Sequence, residues 1–122
     1  MYYPRVVMTL DKCFQINLAD ALKRLPGPQG EKSVLLFEHG SMLTKLYAPR
    51  GTDEQTPHSQ DELYVIVQGN GEFVCAGARQ PCGPHDVLFA AAGVEHRFEN
   101  FTDDFAVWVF FYGPQGGEID QS

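Results

Sequence analysis

The stretch "TPHSQDELYVIVQGNGEF", residues 56–73, places His58, Asp61 and Glu62 at the head of an apolar run that stops at Gly69. Imidazole nitrogen and carboxylate oxygen are ligand types that first-row transition metals accept. Two arrangements explain such crowding at the start of a strand. The residues form a solvated loop tip, or they ring a metal at the mouth of a barrel. Alternate side chains of a strand share a face, so Glu62, Tyr64 and Ile66 point one way and Asp61 points the other. By the same parity His96 shares a face with Phe98.

The elements that must position these residues read mostly as strands. "SVLLFEH" and "LTKLYAP" flank Gly40-Ser41, a hairpin signal. "ELYVIVQG" closes at the Gly69–Gly71 turn and "GEFVCA" runs to a turn near Gly77. "HDVLFAAA" then leads to a turn at Gly93, "EHRFENF" follows, and "FAVWVFFYG" is the last long strand. Only "NLADALKRLPG" reads as a helix, with Leu18, Leu22 and Leu25 on one face, Asn17 as cap, Asp20 in the first turn and Pro26 as the stop.

Short strands with regular turns predict a single all-β domain over residues 1–122, a sandwich or barrel. Its core spans about 33–112. Residues 1–32 form an N-terminal extension, in which 4–10 could add an edge strand, and 113–122 read as a loose tail. In the last strand Trp108 and Phe110 share one face, and Val107, Val109 and Phe111 the other. Both faces are apolar, so one fills the core and the other packs on the N-terminal helix or a second subunit. That strand, with the open sheet edges, predicts a homodimer.

Sixteen Asp and Glu against nine Lys and Arg give a formal charge of −7. Such a surface repels phosphate backbones and anionic lipid, which argues against nucleic acid and membrane partners. Hydrophobic residues at 43%, including nine Phe, suffice for one core. Cys13, Cys75 and Cys82 are odd in number and lack CxxC spacing, so free thiols are expected rather than a disulfide framework or a cysteine zinc site. The opening "MYYPRVVMTL" lacks the pattern of a signal peptide, and no apolar run reaches membrane-spanning length, so a cytoplasmic protein is expected.

Two further spacings are more specific. Glu62, six residues and Gly69 match the end of the first motif of the cupin superfamily. In "HDVLFAAAGVEHRFEN", Gly93, His96 and Asn100 match the end of its second motif. Over roughly residues 33–112 the chain resembles a small single-domain cupin, with a short intermotif gap. The resemblance implies a double-stranded β-helix, a jelly-roll barrel, carrying a divalent transition metal (Fe, Mn, Ni, Cu or Zn) at its open end. Carried over position by position, it assigns His58, Glu62 and His96 as ligands.

The sequence departs from the family pattern at four places. Thr56 occupies the first histidine position, and Gln55, one residue away, could supply an amide oxygen instead. His85 stands at a motif glycine, Ala91 at the proline, and Gly51 falls beside the first-motif glycine. The remaining two-His-one-carboxylate set can hold a metal with open positions. The bland reading is a hydrogen-bonded polar relic. Tyr64 is either a proton donor or a core aromatic with its hydroxyl bonded. Asp61 reads as a solvated carboxylate, His85 as a turn residue, His39 as exposed and Cys75 as buried filler. The charged stretch 47–62 reads as a loop over the mouth, where Arg50 could grip an acidic substrate. Two functions follow. One is a metal-dependent enzyme, oxygenase or isomerase in type, acting on a small organic molecule. The other is a non-catalytic small-ligand binding or sensing module without metal.

Overall fold

A computed structural model of the chain describes residues 13–119. Among these residues one short helix, α1 (Leu18–Leu22), precedes eight strands. These are β1 (Ser33–His39), β2 (Met42–Tyr47), β3 (Asp61–Gln68), β4 (Gly71–Cys75), β5 (Ala78–Cys82), β6 (Val87–Ala90), β7 (His96–Glu99) and β8 (Ala106–Tyr112). All pairings are antiparallel, in a five-stranded sheet ordered β1-β2-β8-β3-β6 and a three-stranded sheet ordered β5-β4-β7. The two sheets face each other across one core rather than closing through a continuous ladder, and the architecture is cupin-like. The expected edge strand over residues 4–10 lies outside the described residues.

Strand parity places the core. Tyr64 and Ile66 of β3, Val107, Val109 and Phe111 of β8, Phe73 of β4 and Phe98 of β7 meet between the sheets. The opposite face of β8, with Ala106 and Trp108, packs under the N-terminal segment together with Val34, Leu36 and Leu46. Leu18, Leu22 and Leu25 lie on that second cluster, as their spacing predicts. Asn17 caps α1, its side chain accepting from the Asp20 N–H at 2.8 Å. The helix spans only five residues, so packing rather than propensity holds it.

The Glu62-to-Gly69 spacing has a steric cause. Gly69 sits at φ 79°, and a Cβ there would lie 2.7 Å from the Phe105 Cα. His85 occupies a turn at φ 75°, which explains why the family pattern favours glycine there. One element is not legible in the sequence and one expectation is corrected. Residues 78–82, unassigned between the Gly77 turn and "HDVLFAAA", form strand β5. Its first four residues are exposed and Pro81 lies within it, so it shows no apolar alternation, as befits an edge strand. The tail is not loose over 113–119. Its Gly116 N–H donates to the Ser59 carbonyl at 2.6 Å and its Glu118 N–H to Asp61 Oδ2 at 2.9 Å.

Candidate metal centre

Glu62 is the second residue of β3 and His96 the first of β7, so they approach from opposite sheets at one end of the core. Both are almost fully buried, at 1% and 2% exposure. His58 comes from the loop before β3, its ring edge-on to Phe111 at 4.7 Å between centroids. Its backbone carbonyl accepts from the Gly93 N–H at 2.8 Å, which ties together the loops carrying the two motifs. One ligand atom from each of His58, Glu62 and His96 lies within 4.8 Å of the others.

The protons fix what this cluster can do. His96 Nδ1 lies 2.8 Å from the Val94 carbonyl, which only accepts, so Nδ1 carries hydrogen. In the neutral ring Nε2 is therefore a bare lone pair. It faces Glu62 Oε1 at 2.9 Å and the Tyr64 hydroxyl at 3.0 Å. His58 Nε2 stands 4.0 Å from the same carboxylate oxygen. Glu62 Oε1 is buried and, with His96 Nε2 bare, receives no well-formed hydrogen bond from the described residues. A buried carboxylate oxygen facing the bare Nε2 of His96 repels it unless a cation or a proton lies between. The residues present thus fit a divalent metal.

The same contacts move the pKa values apart. Burial lowers His58, aided by the charges of His96 and Lys45 and opposed by Glu62. Burial also depresses His96, but the Glu62 carboxylate and the Val94 carbonyl outweigh it and raise the value overall. Burial and the Glu62 charge push Tyr64 well above the usual phenol range, so its hydroxyl stays neutral and donates.

Sequence reasoning missed Asp53, a 7% exposed carboxylate in the loop after β2. It accepts from the Gln55 amide Nε2 at 2.7 Å, the Phe98 N–H at 2.8 Å and, in a short hydrogen bond, the Tyr47 hydroxyl. Nothing in the run "GTDEQ" distinguishes it from a solvated acid. Because Asp53 holds Gln55 Nε2, Gln55 Oε1 is turned to the Tyr64 hydroxyl at 3.1 Å. Gln55 therefore stands on the site wall, while Thr56 is exposed at the surface.

Other readings change or stand. Asp61 is not solvated. It is 5% exposed and accepts from the Ala92 and Glu118 N–H groups at 2.9 Å each. Arg50 does not face the site. Its guanidinium donates to the Pro49 and Phe105 carbonyls, at 2.7 and 2.9 Å. His39 and His85 are exposed, and Cys75 and Cys82 are free. A cavity of about 150 Å³ opens on the site, with Lys45, Tyr47, Gln55, His58, Glu62 and Phe111 among its walls.

The cupin-domain family model matches residues 44–112, more than half of the chain. The uncharacterised protein SCO3923 of Streptomyces coelicolor is 34% identical over 64 residues, 52% of this chain and 61% of that protein. Among solved structures, a cupin-2 domain-containing protein from Shewanella frigidimarina superposes with a TM-score of 0.62 at 16% identity, covering 78% of this chain and 91% of that one. The DMSP lyase DddQ from Ruegeria pomeroyi gives a TM-score of 0.58 at 24% identity, covering 66% of this chain and 46% of that one. At these identities the structural likeness is one of fold.

Proposed function

The chain belongs to the cupin family, and from that premise we propose that it binds one divalent transition metal through His58, Glu62 and His96 and uses it as an enzyme on a small organic molecule. The observation that carries this reading is the buried Glu62 Oε1, without a well-formed hydrogen bond, between two imidazoles. Gln55 would add a fourth, neutral ligand if its Oε1, which faces the Tyr64 hydroxyl, exchanged that hydroxyl for the ion. A metal held there supplies Lewis-acid or redox chemistry of the oxygenase or isomerase type. The chain's own groups do the rest. Tyr64 holds a proton at its hydroxyl beside the ligand set, and the Val94 carbonyl fixes the His96 tautomer. Phe111 and Val109 keep one wall of the cavity apolar. A fold of this kind serves a lyase in DddQ, which supports an enzymatic reading.

One observation favours a second reading. The Tyr64 hydroxyl already lies 3.0 Å from His96 Nε2, so a metal-free binding module has a partner for that ring. Metal analysis separates the two. After loading with Fe(II), Mn(II) or Zn(II) and desalting, the wild-type chain should retain about one equivalent, and Glu62→Gln and His96→Ala should each retain at least ten-fold less. Retention by neither the wild-type chain nor its variants selects the binding module.

No helix among the described residues is long and apolar enough to cross a membrane. With all three thiols free, we place the protein in the reducing cytoplasm.

A further inference from the structure

Lys45 is the feature of the cavity that metal binding leaves unused. It lies on β2 between Leu43 and Tyr47, which by parity point into the same core. Its side chain is half-buried and lines the cavity that His58 and Glu62 also line. Among the described residues no carboxylate pairs with it. Its ammonium stands instead over the Phe111 ring, 5.5 Å from the centroid. Lysine is seldom turned inward without a counter-charge, because desolvating an ammonium is costly. In a chain with sixteen acids and nine bases, acidic partners for a lysine are abundant. A cation left without one, inside a cavity, is a place for an anion supplied from outside.

The walls narrow the anion. Val109 and Phe111 make an apolar side, and Lys45 supplies charge at one point. Engineered cavities of about 150 Å³ take up benzene, so the enclosed part of a ligand has about six non-hydrogen atoms. We propose that the cavity takes a small organic acid, its carboxylate paired with Lys45 and its apolar body against Val109 and Phe111. Its reacting end then faces the His58, Glu62 and His96 cluster. This inference rests on the metal-binding reading above and names the substrate class for the same site.

Calorimetry on the zinc-loaded chain tests it, with butanoate and butanamide as probes of equal size and different charge. The wild-type chain should bind butanoate at least ten-fold more tightly than butanamide and more tightly than inorganic phosphate. Lys45→Met should lose the preference for the acid, and Lys45→Arg should keep it. Zinc content is read separately, and Lys45→Met should hold as much zinc as wild type, because it removes a positive neighbour and no ligand. A wild-type chain that takes up no zinc overturns the metal reading. A zinc-loaded chain overturns the Lys45 assignment if it binds acid and amide alike, prefers phosphate, or binds none of the probes. Lys45→Met that holds zinc and still prefers butanoate overturns it too.

Discussion

Asp53 and Gln55 act on the site through other side chains. Asp53 takes the amide of Gln55 and the backbone N–H of Phe98, two residues after His96, and so pins the loop after β2 to β7. Gln55 Oε1 in turn lies 3.1 Å from the Tyr64 hydroxyl, whose single proton serves either this amide oxygen or His96 Nε2. Replacing Asp53 by Ala strands a buried N–H and an amide, each costing about 1–3 kcal/mol. We expect Asp53→Ala to lose about 2–4 kcal/mol in urea unfolding, with a loss below about 0.5 kcal/mol showing that the network is incidental. His58, Glu62 and His96 were legible because the motif spacing carries them. Asp53 was not, since its role depends on which backbone donors fold against it, and no periodicity encodes that.

The same contrast holds for elements. β3 and β8 could be read directly, because buried strands alternate or run apolar and end at glycine. β5 and the segment after β8 could not, because one is an exposed edge and the other is held by backbone donors. Asp61 carries that second anchor. Its two backbone hydrogen bonds, from Glu118 first and then Ala92, lower its pKa below the usual carboxylate range. The sign follows directly. A group whose folded pKa is depressed stabilises above its unfolded value, about 3.9, and loses that stabilisation as pH falls through the folded value. Asp61→Ala should therefore cost about 2–4 kcal/mol at neutral pH, and less as pH drops below about 4. Urea titrations at both pH values check this, and a cost that does not shrink in acid shows that the charge contributes nothing.

At the scale of the whole molecule, the described residues cover the outer face of the five-stranded sheet only in part. The N-terminal segment seals the part over β1, β2 and Ala106 and Trp108 of β8. Beyond it lies β6, which among the described residues pairs only with β3, with Val87 62% and Phe89 49% exposed. The ladder sets Phe89 opposite Leu63 and Val87 opposite Val65, both half-buried, so the apolar patch is continuous across two strands. We propose that a second copy covers it by an isologous contact, in which the same patch faces itself. Burying Val87 and Phe89 on both copies offers at most about 6–12 kcal/mol, since full burial is worth about 1.5–3 kcal/mol per side chain and these are already partly buried. Lost translational and rotational freedom costs about 4–15 kcal/mol, so the dimer should be no tighter than micromolar. The charge of −7 on each copy opposes it further, so association should strengthen as salt screens that repulsion. Light scattering across protein concentration should show a monomer–dimer equilibrium in the micromolar range, with Phe89→Glu monomeric and still folded. A wild-type chain that remains monomeric at about 100 μM leaves the patch without a second copy to cover it.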